Sequence, residues 1–561
     1  MQATYLSLME MCLSAYSNAH IREYFDRVKR EGLTEHGFPR LAANIGILIA
    51  HGKRRDLLPL FREMMAFCCR EIPRVKAAND FSVREIVACI EEIERAEVLP
   101  ADELARLKED ISTIEPTSCY TKFARDPADP VRNWALFTGV SEYKRLSSGL
   151  GGDMDFIETQ IASQLKWLDE NGMYRDNARC DERYQPIVYD IVPRGLFCLL
   201  LHYGYRGKYY EQISESIKKT ALLDLAMQSP NGEIPFGGRS NQFLHNEAWL
   251  AAIFEFEANR YQREGNAIMA LRFKAGIKRA LAVTEAWLKK TPIRHIKNRF
   301  PTETKYGCEN YAYFDKYMIT AASNLYAAYS MCDPAIPYPD EKDTFPAVFA
   351  TSSYFHKVFL KSGGYGIELD THADPHYDAK GLGRVHRAGA PSCICMSVPC
   401  PAYGGLYKTD REEAKPLAIC AGVKQNGEWL FATGEKSEYS LLSLTKSGAA
   451  AHAVISCLFE GGATVETRYD VDKDGVTLTL SGEGELACLL PAFHFDGEGY
   501  TEIASEGGTL SVRYEGWVCR YTAEGEILPL DRMGANRNGY YKAFFAAGEG
   551  SLRVKIEILP L

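Results

Sequence analysis

The residues best equipped for chemistry crowd into one stretch of the chain: Arg239, Ser240, Asn241, Gln242, His245, Asn246 and Glu247. A guanidinium, an imidazole, several amides and a carboxylate stand there side by side. Helix capping uses one or two such groups, so the density points to a binding or catalytic site. Turn signals precede it in Asn231-Gly232, Pro235 and Gly237-Gly238, and an apolar run from Ala248 to Phe256 follows. The pattern predicts a loop that delivers polar groups to the mouth of a buried helix. The competing reading is an N-cap built on Ser240 or Asn241.

Three more clusters carry similar groups. Asn133-Trp134 precedes a glycine-rich turn at 149–152, and Tyr189, Asp190 and Arg194 open a second apolar run. Glu309, Tyr311, Tyr313, Asp315, Lys316 and Tyr317 open a third. On a helix, Glu309, Tyr313 and Tyr317 share one face by their i, i+4 spacing. Asp190 and Arg194 have the same spacing, which also suits a plain ion pair. A later segment, Asp370 to Arg387, holds His372, His376, Arg384 and His386 among aspartates. That composition invites a metal, but a loop lining a substrate cavity is the preferred reading, with no metal and no cofactor.

The elements that must position these clusters change character once. Up to about residue 333 apolar residues recur at helical spacing, as in 188–203, 244–261 and 267–289. Roughly a dozen helices in sequential hairpins without a fixed repeat fit an α/α toroid, about (α/α)6, in which inner helices surround a funnel. The proline cluster Pro334, Pro337 and Pro339 begins a linker over 334–350. Over 351–561 the apolar period falls to two, as in Leu552, Val554, Ile556 and Ile558, and the turn at 471–475 separates two strand-like runs. This half reads as an antiparallel β-sandwich.

The bulk numbers exclude some classes. A net charge of −9 gives no basic footprint for nucleic acid and no attraction to an anionic membrane. The first residues lack the basic start and apolar core of a signal peptide. The sixteen scattered cysteines suit reduced thiols in a cytoplasm. Cytoplasmic residence is therefore expected, with self-association compatible with the composition.

Taken together, Tyr189-Asp190…Arg194, Gly237-Gly238-Arg239-Ser240-Asn241…His245-Asn246-Glu247 and the 370–387 segment resemble a group of uronic-acid-active enzymes. These pair an α/α toroid with an antiparallel β-domain: the heparinase II/III-like polysaccharide lyases and the β-glucuronidases of glycoside hydrolase family 154. The resemblance implies a uronic-acid-containing oligosaccharide or glucuronide as substrate, with the 370–387 loop reaching over the funnel. It leaves two chemistries. A glycosidase needs paired carboxyl groups, for which Glu247 and Glu309 are preferred over Asp190 and Asp315. A lyase needs a base and a group that neutralises the uronate. Tyr313, Tyr317, His245 or His376 would be the base, and Arg239, Asn246 or Arg194 the neutraliser. Asn133, Trp134, Asn241, Tyr189, Arg384 and His386 complete the expected substrate contacts. The leading expectation is an exo-acting β-glucuronidase, followed by a lyase, and then by a non-catalytic carbohydrate-binding protein.

Overall fold

The computed structural model describes residues 1–176, 186–300, 309, 311–342, 346–399, 416–434 and 436–561. Tyr184, Tyr306, Asn310 and Cys400, whose polar groups or thiol also made them candidates in the sequence, lie outside them.

Helices fill the first part of the chain, and six of them close a ring. In order these are Gly37–Ala50, Val83–Arg95, Trp134–Ser147, Val188–His202, His245–Arg263 and Phe314–Met331. Each packs on the next, and the sixth returns to the first. Outer helices back them: Gln2–Leu13, Leu58–Glu71, Ala101–Ser112, Met154–Leu165, Tyr210–Met227 and Ala267–Leu288. This is the expected α/α toroid. The sequence explains which helices go inside. The 245–263 helix is buried nearly all round, Trp249, Leu250, Ile253 and Phe254 included, whereas Ala101–Ser112 buries only Leu107 and Ile111. Among the described residues no helix is long and apolar enough to cross a membrane.

Strands begin at Ala347. A four-stranded antiparallel sheet runs through Ala347–Ala350, Lys357–Ser362, Tyr365–Asp370 and Gly381–Arg387. A larger antiparallel sheet is centred on two long neighbours, Gly475–Phe495 and Gly539–Pro560. Along the latter Leu552, Val554, Ile556 and Ile558 are buried in alternation with more exposed Arg553, Lys555 and Glu557. The 471–475 turn joins Thr464–Asp472 to Gly475–Phe495, with Asp472 opposite Gly475.

The two halves are joined through the loop that leads into the 245–263 helix. Phe236 leaves the helical half and enters the apolar core of the strands, where its backbone N–H donates to Glu368 Oε2 at 3.0 Å. Asn231 Nδ2 donates to the carbonyls of Arg387 and Ala390. Burying one phenylalanine contributes roughly 2–3 kcal/mol, and the amide contacts fix its register.

Candidate functional site

The inner helices bring their N-terminal ends to one mouth, and a cavity of about 910 Å³ opens there. His36 and Arg40 come from the first helix, Phe81 precedes the second, and Asn133 and Trp134 start the third. Val188 and Tyr189 start the fourth, His245 starts the fifth, and Tyr317 lies in the first turn of the sixth. Each helix N-terminus carries about half a positive charge from its unsatisfied N–H groups. Cationic side chains add to that field: Lys76, Lys122, Arg125, Arg132, Arg239 and Lys316. Among the described residues lining the cavity Asp176 is the sole carboxylate. The mouth is built for an anion.

Arg239, Ser240 and Tyr189 form its most ordered wall. The Arg239 guanidinium lies over the Tyr189 ring at 4.9 Å from the centroid. Ser240 Oγ sits 3.0 Å from the Tyr189 hydroxyl and 2.5 Å from that of Tyr311, so one serine bridges two tyrosines. Its backbone is left-handed, with φ of 66°, a costly conformation for a residue with a Cβ. Two contacts hold it there: its N–H donates to Glu309 Oε1 at 2.6 Å, and Asn246 Nδ2 donates to its carbonyl at 3.0 Å. Burial raises the Tyr189 pKa, while the adjacent Arg239 and the Ser240 hydrogen bond work against that rise.

A stacked aromatic wall stands beside it. Phe243 and Tyr317 are parallel at 4.0 Å, and His245 stacks on Phe243 at 5.3 Å. Burial, with Arg40 and Lys297 nearby, lowers the His245 pKa to about 3, so the imidazole is neutral and Nδ1 has no hydrogen-bond partner. Across the mouth, Lys122 lies over the Trp134 ring at 4.6 Å. Asp176 accepts from the Asn133 side chain at 2.7 Å, and burial raises its pKa.

Several expected site residues have other positions. Asp190 and Arg194 are fully buried and form an ion pair at 2.5 Å, which Asp224 completes from the other side. Neither lines the cavity, because the helix turns them into the ring wall, where an unpaired charge would be costly. Glu247 is fully buried and pairs with Lys297 at 2.5 Å, away from the lining residues. Glu309 stands behind Ser240 and also accepts a hydrogen bond from Gln242; burial raises its pKa. The expected helix face of Glu309, Tyr313 and Tyr317 does not form, since the helix starts at Phe314. Tyr313 is therefore its N-cap and 61% exposed. Asn246 and Asn241 brace the loop, Asn241 through Pro235 and Arg537. The N-cap reading of Ser240 or Asn241 also gives way, because the 245–263 helix is capped by Leu244 without a side-chain bond.

The 370–387 segment lies among the strands, and none of its residues lines the mouth. His376 meets Tyr377 edge to face at 4.5 Å, and Arg384 and His386 line a different cavity. The sequence reading missed Arg40, Lys76, Lys122, Arg125 and Arg132. They are spread over residues 40–132 and become one set only when the ring closes.

No family model matches the chain, and no curated protein matches it. Among solved structures it is similar to heparan sulfate lyase HepC from Pedobacter heparinus, at 8% identity over 93% of this chain and 73% of that one, with a TM-score of 0.45. It is also similar to a Streptomyces coelicolor A3 chondroitin AC lyase, at 11% identity over 99% and 82%, with a TM-score of 0.43. A third is a glycosyl hydrolase family 88 protein from Bacteroides vulgatus, at 12% identity over 57% and 98%, with a TM-score of 0.35. At this level they carry no argument, and the ring stands on its own contacts.

Proposed function

We propose that the chain is a carbohydrate-active enzyme that seats a uronic acid at the mouth of the ring and cleaves the adjoining glycosidic bond by β-elimination. The observation that carries this is the cationic mouth: converging helix N-termini and arginine and lysine side chains facing one described carboxylate. Arg239 takes the substrate carboxylate, for which a planar guanidinium is geometrically suited. Neutralising that carboxylate acidifies the C5 hydrogen. Tyr189 removes it as tyrosinate; burial raises its pKa, and Arg239 over its ring and the Ser240 hydrogen bond oppose that rise. The C5–H electrons form the C4–C5 double bond, the C4–O bond breaks, and the leaving oxygen takes a proton. Tyr311, tied to the same serine as Tyr189, supplies that proton. Neutral His245 donates or accepts a hydrogen bond without adding charge.

Hydrolysis remains a second reading because burial raises the pKa of both Asp176 and Glu309, as a general acid requires. The earlier candidate Glu247 loses its place in either scheme, since Lys297 holds it. A paired assay separates the readings. Acidic oligosaccharides giving the ultraviolet absorbance of a 4,5-unsaturated uronate support elimination. Release of p-nitrophenol from its β-glucuronide without that absorbance would replace it with hydrolysis. Tight binding with neither product would favour the non-catalytic binder.

A further inference from the structure

A second cavity, of about 420 Å³, lies where the helical ring meets the strands. The 231–247 loop is the partition. Arg239 and Ser240 face the mouth of the ring, while Asn231, Phe236 and Asn241 line this other space. On one side the 267–288 helix presents Ala282, Val283, Ala286 and Trp287. Opposite stand Arg299, Arg384, His386 and Arg537, with Glu233, Glu368 and Glu515 among them.

One buried donor on this cationic side, Arg384 Nε, makes no hydrogen bond. Arg384 and Arg537 press on the two sides of one ring, with their guanidinium carbons 3.6 and 4.1 Å from the Phe236 centroid. Arg384 reaches Asp378 at 3.2 Å, yet its buried Nε has no hydrogen-bond partner. His386 Nε2 pairs with Glu368 at 2.8 Å, but its Nδ1 is buried without a hydrogen bond, with Glu233 3.6 Å away. Both residues are more than nine-tenths buried and line the cavity. Buried polar atoms of this kind are ordinarily satisfied by a partner. An apolar wall with a tryptophan, facing guanidinium groups, matches a sugar ring that carries a carboxylate. The volume falls within the range of small-ligand pockets.

We infer that this interdomain cavity is a second binding site for an acidic monosaccharide, separate from the mouth of the ring. The choice of sugar acid rests on the function proposed above. The cavity, its tryptophan and the Arg384 Nε without a hydrogen bond do not. Asn241, which lines this cavity and accepts from Arg537 Nη2 at 3.0 Å, is joined by a peptide bond to Ser240 of the mouth. Occupancy here therefore bears on the strained serine next door.

The test is calorimetric titration of the full chain with free D-glucuronate, with D-glucose and inorganic phosphate as controls. Wild-type protein is expected to take two equivalents. Arg239→Ala removes one of them. Trp287→Ala combined with Lys290→Glu, at the half-buried and exposed rim, weakens the other at least tenfold with unfolding temperature unchanged. Two results would overturn the proposal: a rim variant that titrates like wild type, or a single wild-type equivalent abolished by Arg239→Ala. Phosphate binding in place of glucuronate would overturn the sugar assignment. A rim-sensitive equivalent with no cleavage of any uronide would keep this site and discard the enzymatic reading.

Discussion

Cations inside the ring wall and cations at its mouth live under different rules. In the wall Arg194 lies between Asp190 and Asp224. Arg145 holds Glu142 at 2.6 Å, and Lys274 holds Glu255 at 2.6 Å. All three cations are buried and matched by carboxylates. At the mouth Lys76, Lys122, Arg125 and Arg132 have no carboxylate within ion-pair distance among the described residues, and Lys122 rests on an indole instead. Where water is absent, charge is cancelled locally. Where a ligand can enter, charge is left over, and the surplus indicates the ligand's sign.

The sharpest way to break that contrast is to unbalance the wall. Arg194→Met leaves two buried carboxylates facing each other and is expected to lower stability by about 3–5 kcal/mol, read by denaturant unfolding. If it costs under about 1 kcal/mol, the wall ions are not structural in the sense argued. At the mouth, Arg239→Ala and Tyr189→Phe are expected to reduce turnover of an acidic oligosaccharide by roughly 10²–10³-fold. Their unfolding midpoints should stay near wild type. Equal loss of stability and activity would erase the distinction.

A smaller effect concerns pH. The folded pKa of His245 is about 3, below the ~6.5 of an unfolded histidine. The unfolded chain therefore binds the proton first, and stability falls as pH drops from about 6.5 toward 3. His245→Gln should make that decline shallower, as measured by unfolding at several pH values. An unchanged slope would mean the imidazole is not held neutral. The smallest change expected is Lys122→Ala, which should weaken an acidic ligand by up to about tenfold and reduce the salt dependence of binding. No salt effect would mean that the surplus charge does not act on the ligand.

Much of this was legible before any coordinates. The helix expected over 188–203 runs Val188–His202, and that over 267–289 runs Ala267–Leu288, because apolar periodicity alone specifies such elements. The loop at 239–247 was recognisable by its density of polar groups, and it does contribute Arg239, Ser240 and His245 to the mouth. What failed was the assignment of individual roles. Glu247 and Glu309 read alike in sequence, as carboxylates near helix starts. Their difference rests on Lys297, fifty residues away from one, and on the Ser240 amide that claims the other. The helix at 309 starts late because Glu309 is committed to that loop. Arg125 and Arg132 went unremarked, since nothing local shows which way a closed ring will turn them.

Ring closure also governs the order of assembly. The sixth inner helix, Phe314–Met331, packs against both Gln2–Leu13 and Gly37–Ala50, segments from opposite ends of the helical half. Contacts that distant carry a large loop-closure entropy and form late. A chain emerging from the ribosome therefore holds five inner helices as an open arc, with the apolar flanks of its first and fifth members uncovered. The mouth, and the positive field that defines it, come into being only when residue 331 has been made and the arc shuts. Until then the growing chain carries the sticky surface that chaperones bind.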